Sequence, residues 1–115
     1  MQDNVIVEKS LAFAIRIVKL CRILSDSKHE YLLSKQLMRS GTSIGANVRE
    51  AVQAQSRKDF VSKMSIALKE AAESDYWITL LRETDFITEK EFQSISADCV
   101  ELNKILTAII KSTKE

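Results

Sequence analysis

Residues 40–48 read SGTSIGANV and hold Gly41 and Gly45, the only two glycines of the 115 residues, in a chain without proline. Small and hydroxylic residues this dense suit two chemistries. One is a phosphate cradle made of backbone N–H groups. The other is the close approach of two helix backbones. A phosphate loop needs G-x-x-x-x-G-K-[ST] after a strand, whereas Gly45 is followed by Ala46 and no strand-like run comes before it. The apolar period Leu37, Gly41, Ile44, Gly45, Val48, Val52 runs unbroken through both glycines. Both therefore fall on the inward face of one helix. Each costs about 1 kcal/mol of helix propensity relative to Ala, a cost offset where small residues four apart admit a neighbouring helix. Gly41 and Gly45 are expected to be helix close-packing positions.

The rest of the reactive side chains do not assemble into a catalytic pattern. His29 is the only histidine, and a serine triad needs a histidine base held by an acid. No Cys/His cluster has zinc spacing, and no Glu-x-x-His pair faces inward as a di-metal bundle requires. Glu70 and Glu73 stand beside Lys69, the pattern of a salt-bridged helix surface. Cys21 and Cys99 lack C-x-x-C spacing and read as small core residues in a reducing cytosol. The expectation is a protein that is not an enzyme and uses no cofactor and no metal. One polar line remains. Arg39, Ser43, Asn47 and Glu50 follow one another at intervals of four, four and three on the helix face away from the glycines. That line is either a solvated face, a polar network at a subunit contact, or a site for an acidic partner.

Start signals mark off the elements that would carry these residues. Ser27 with Glu30, Ser56 with Asp59, and Thr88 with Glu91 each have capping-box spacing ahead of an apolar period. Four helices follow, at about 4–25, 30–55, 57–83 and 89–112. Helices this long joined by links this short must double back. The expected fold is all-α, an antiparallel up-down-up-down four-helix bundle forming a single domain over residues 1–115. Hydrophobic residues are 45% and charged residues 29% of the chain, the balance of a soluble globule. The N-terminus lacks the look of a signal peptide, and no apolar run approaches the roughly 20 residues that span a bilayer. A cytoplasmic protein with no membrane partner is expected.

The apolar faces exceed what one bundle can hide. In the first helix Val7, Leu11, Ala14, Val18 and Cys21 make one stripe, and Ile6, Phe13, Ile17, Leu20 and Leu24 make a second a quarter-turn away. In the third, Ile66, Trp77 and Leu80 point away from the core stripe Phe60, Met64, Ala67, Ala71, Ile78, interleaved with Lys69, Glu70 and Glu73. The fourth has one clean stripe. Burying three extra large side chains would gain about 5–8 kcal/mol, and leaving them wet would make an adhesive patch. Self-association is therefore expected, with Ile6, Phe13, Ile17, Leu20, Ile66, Glu73, Trp77 and Leu80 as candidate subunit-interface residues. Charge is unevenly spread: residues 1–69 carry a net +6 and residues 70–115 a net −5. That split makes either a polar particle or a surface that attracts a copy of itself.

The stretches SGTSIGANVREA (40–51) and SRKDFVSKMSIALKEAAESDYWITLL (56–81) resemble the bacterial four-helix-bundle family of 23S ribosomal RNA intervening-sequence proteins. The resemblance runs nearly the full length. It includes Gln36-Leu37, the Ser43, Asn47 and Glu50 motif, and the Ile66 to Trp77 segment. Many members have a glycine where Val52 stands, so the second helix is expected to continue a little further. The resemblance implies an antiparallel bundle that assembles as a homo-oligomer, a ring of five subunits. The family is similar to the accessory variability proteins of diversity-generating retroelements, which form basic pentamers and bind nucleic acid and a reverse transcriptase. Two partner classes follow. RNA or DNA would meet the basic residues Lys35, Arg39, Arg49, Arg57, Lys58 and Lys63, five copies multiplying a modest patch. The alternative is a scaffold that docks another protein and makes no nucleic-acid contact of its own.

Overall fold

Four runs of helix-forming sequence, separated by links of a few residues, become four α-helices in the computed structural model, which describes residues 2–114. Met1 and Glu115 of the expected domain lie outside the described residues. The helices are α1 (Gln2–Asp26), α2 (Leu32–Val52), α3 (Arg57–Glu83) and α4 (Glu89–Lys114). Each packs on its neighbours in sequence, α1 closes against α4, and no contact crosses either diagonal. The result is a square bundle 44 Å long and about half as wide. Helices α1 and α3 run one way, α2 and α4 the other. The α1–α4 seam is the least tightly packed of the four sides.

Two of the three expected caps form. Ser56 accepts the Asp59 amide at 3.0 Å. Thr88 accepts the Glu91 amide at 3.1 Å while Glu91 accepts the Thr88 amide at 2.8 Å, a reciprocal box. That hydrogen bond from the Thr88 backbone holds the Glu91 carboxyl below its ordinary range. Ser27 does not cap. It sits in the turn after α1, and α2 begins only at Leu32. Glu30 does the work instead, its two carboxylate oxygens taking the amides of Leu33 and Ser34 at 3.1 and 2.7 Å. The reason lies in the turn: His29 adopts a left-handed φ of 55°, which reverses the chain before a helix can restart. Asp85 plays the same part after α3 at 64°. Both do what a glycine usually does at a helix end. At its far end α2 stops at Val52 rather than continuing toward residue 55. The Gln53 and Ala54 amides bond back to Glu50 and Ala51, closing the turn.

The core holds Ile6, Phe13, Ile17 and Leu24 of α1, Leu37, Ile44 and Val48 of α2, Met64, Ile78 and Leu81 of α3, and Ile95, Cys99, Leu102, Leu106 and Ile109 of α4. Of the two α1 stripes, the first has Cys21 buried, Val7, Ala14 and Val18 half-buried and only Leu11 exposed, and the second is the core stripe rather than the expected subunit contact. The Ile6–Phe13–Ile17 stripe is sealed inside a single chain, because it faces the gap between α2 and α4. It cannot form a subunit contact. The exposed apolar residues of α1 are Val5, Leu11, Ile15 and Ile23. Polar groups inside the bundle are partnered. Ser40 and Ser74, both fully buried, share a 2.9 Å hydrogen bond between α2 and α3, and Ser74 also donates to the Glu70 carbonyl.

The two glycines are not equivalent. A Cβ on Gly41 would stand 2.9 Å from both γ carbons of Ile17, while one on Gly45 would meet Ser10 at an ordinary 3.5 Å. Gly41 alone needs the missing side chain. Substituting Gly41→Ala should destabilise by about 1–3 kcal/mol through overpacking, whereas Gly45→Ala should stabilise by up to about 1 kcal/mol through helix propensity. Urea melts of the two variants check the opposite signs.

Cys21 and Cys99 are buried free thiols that donate to the carbonyls of Ser34 and Ala71. Burial, reinforced by Glu30, pushes Cys21 up to about 11. Burial, with Asp75 and Asp98 adding to it, pushes Cys99 up to about 12. The fold favours the protonated thiols, so their contribution is complete below the unfolded value near 9 and is lost as pH rises from there toward 11 to 12. The stability of a Cys21→Ala/Cys99→Ala variant should therefore fall less steeply than that of the parent above pH 9. At pH 8 both thiols should resist a disulfide reagent until denaturant is added.

Candidate functional site

The polar line of α2 lies on the edge that meets α3. Arg39 bonds Glu70 at 3.2 Å and also bonds Glu73. Glu73 accepts the indole N–H of Trp77 at 2.9 Å. Asn47 donates to the Ser43 hydroxyl and carbonyl at 3.0 and 2.9 Å. Glu50 pairs with Lys63 of α3 at 3.1 Å. The stripe of Arg39, Ser43, Asn47 and Glu50 is thus a seam between two helices of one chain, with its charged ends tied across to α3. Trp77 is half-buried against the core and anchored by that seam.

Of the six basic candidates, these pairs commit Arg39 and Lys63. Lys35, Arg49, Arg57 and Lys58 are exposed and make no ion pair among the described residues. The fold gathers three of them. Arg49 ends α2, Arg57 and Lys58 open α3, and a turn of four residues joins the two helices. Lys35 lies 14 residues before Arg49 on α2, about 21 Å away at 1.5 Å per residue. Cations in the first turn of a helix oppose its dipole. Asp59 offsets this only in part, so local helix stability does not explain Arg57 and Lys58.

Part of the charge split is consumed inside the molecule. Lys9 pairs with Glu101 at 3.1 Å and Arg16 with Asp98 at 2.6 Å across the α1–α4 seam. Arg39 pairs with Glu70 and Glu73 across the α2–α3 seam. Lys28, in the α1–α2 turn, donates to the Phe86 carbonyl in the α3–α4 turn. In each of these a cation of the first hairpin meets an acceptor of the second, while Glu50 and Lys63 pair in the opposite sense. Sequence reasoning missed these partners because they lie far apart along the chain. It also missed Lys19 and Arg22, which flank the exposed apolar groove of α1.

The remaining interface candidates divide by burial. Ile66 is exposed, while Leu20, Glu73 and Leu80 are half-buried. Tyr76, 57% exposed and edge-on to Trp77, joins Ile66 on the outside of α3. Among the described residues no group of three metal-ligating side chains gathers, and no helix is long and apolar enough to cross a membrane.

Comparison with known proteins places this geometry. No curated protein matches the chain. A crystal structure of a protein of unknown function from the S23 ribosomal protein family of Bacteroides thetaiotaomicron superposes with a TM-score of 0.96 at 56% identity, covering 96% of this chain and 99% of that one. The sequence pattern of the 23S rRNA-intervening sequence proteins matches residues 2–108. With four helices in the expected order and a match over nearly the whole chain, this protein belongs to the 23S rRNA-intervening sequence protein family.

Proposed function

We propose that this protein works without catalysis, as a helical bundle whose copies assemble into a homo-oligomeric ring, and that the ring holds RNA or DNA by its phosphates. The observation that carries this reading is the cluster of Arg49, Arg57 and Lys58 at the α2–α3 turn, three exposed cations that make no ion pair among the described residues. Of the other candidates, Arg39 and Lys63 are committed to carboxylates of the same chain, and Lys35 stands apart from the cluster. One copy offers too few phosphate contacts for firm binding. Repeated around a ring, of five copies as the family resemblance implies, the same contacts act together. No aromatic side chain belongs to the cluster, so the reading is backbone recognition rather than base recognition.

A second reading, a scaffold that docks another protein, draws on the opposite end of the bundle. There Leu32 is 80% exposed beside an exposed Tyr31, the kind of apolar and aromatic pair that a protein partner buries. Gel shifts at low salt separate the two. Nucleic acid should be retained at micromolar oligomer, with a retention that falls steeply as salt rises. The Arg49→Ala/Arg57→Ala/Lys58→Ala variant should lose most of that retention and flatten the salt dependence, while keeping its helical circular dichroism. Failure of the parent protein to retain either RNA or DNA would sink the first reading. A protein partner that survives nuclease treatment in a host pull-down would then favour the scaffold.

A further inference from the structure

We propose, building on the self-association in the reading above, that copies meet through two different surfaces: the outer groove of α1 on one copy receives the outer face of α3 on the next. The α1 groove is lined by Leu11, Ala14, Ile15 and Val18, is closed at one end by Lys19 and Arg22, and has a volume of about 330 Å³. Leu11 and Ile15 are almost half exposed, and neither Lys19 nor Arg22 makes an ion pair among the described residues. The α3 face presents Ile66, Tyr76 and Leu80, framed by Glu73 and Glu83. Glu73 spends only its Oε2 on Arg39 and Trp77, and Glu83 only its Oε2 on Arg82. The Oε1 of each is open to a new cation. One surface is apolar with two cations at its end; the other is apolar with two carboxylates and one exposed cation, Lys69, which lies two turns before Tyr76.

The bundle also sets the register. Gly41 lies against Ile17, and Ser40 bonds Ser74, so Ile17 and Ser74 stand at one height on helices that run the same way. Copies related by rotation about an axis along the bundle keep that height and direction. Lys19 of one copy then arrives at the level of Tyr76 of the next, and Ile15 at the level of Ala72 and Glu73. Arg22 falls within a helical turn of Leu80 and Glu83. The register that rotation imposes is therefore the register that pairs opposite charges around an apolar centre. Both surfaces also lean toward α2: Cys21, beside the groove, donates to Ser34 of α2, and Glu73 is tied to Arg39. A row of copies so joined curves with α2 on its concave side.

The test uses two surface variants and a mixture. Leu11→Asp/Ile15→Asp spoils the α1 groove and leaves α3 intact. Ile66→Asp/Tyr76→Asp does the reverse. All four positions are exposed, and circular dichroism with thermal melting checks that each variant folds. By light scattering the parent should exceed the 13.0 kDa of one chain. Each variant alone should be a single chain, and the mixture should form particles of two chains, one of each kind. If the α3 variant alone still assembles while the α1 variant does not, α1 pairs with α1 and the proposal is overturned, though self-association stands. If both variants keep the parent's mass, neither surface is the interface and the proposal also falls. A parent that stays a single chain at high concentration refutes the self-association itself, separately from the choice of surfaces.

Discussion

Gly41 carries no Cβ, and Ile17 fills the space that atom would occupy. Much of the bundle follows from that contact. It lets α1 lie close against α2 with Ile17, Phe13 and Ile6 turned into the core. With that stripe inward, Leu11, Ile15 and Val18 are left along an open groove on the outer side of α1. The surplus of apolar surface on α1 is thus real, but its location is decided by a glycine on another helix.

A second layer of specificity is electrostatic. Cations of the first hairpin meet carboxylates of the second along both seams that join the hairpins, and Glu50 meets Lys63 in the opposite sense on the α2–α3 seam. Such exposed pairs contribute little each, about 0–1 kcal/mol. Their value lies in consistency: they disfavour a bundle with α3 and α4 exchanged, because that arrangement would separate the partners. Among the cations left unpaired, three gather at one turn. Arg49 suits the C-terminal end of α2, but Arg57 and Lys58 act against the helix they begin.

The sequence made the local features legible and hid the relational ones. Caps at Ser56 and Thr88 could be read because spacing of three residues decides them. Ser27 had the same spacing and failed, since the left-handed turn at His29 moved the helix start beyond its reach. The straight polar line on α2 was visible, but its partners Glu70 and Glu73 stand some thirty residues on and could not be matched from spacing alone. The two stripes of α1 are equally apolar, and periodicity has no means to choose between them. That choice depends on where α2 and α4 sit. Four of six basic candidates stayed free, and only three came together, because α2 is long enough to hold Lys35 well away from Arg49.

The α2–α3 turn divides the molecule into two pairs of adjacent helices that share one core. A cut there would sever one short exposed strand of backbone and no buried hydrogen bond. The two pieces would carry complementary charge and complementary apolar surfaces, including the Ser40–Ser74 hydroxyl pair as a locating peg. Such a partition is the physical basis of a split-protein reporter, in which function returns only when separately expressed fragments find one another.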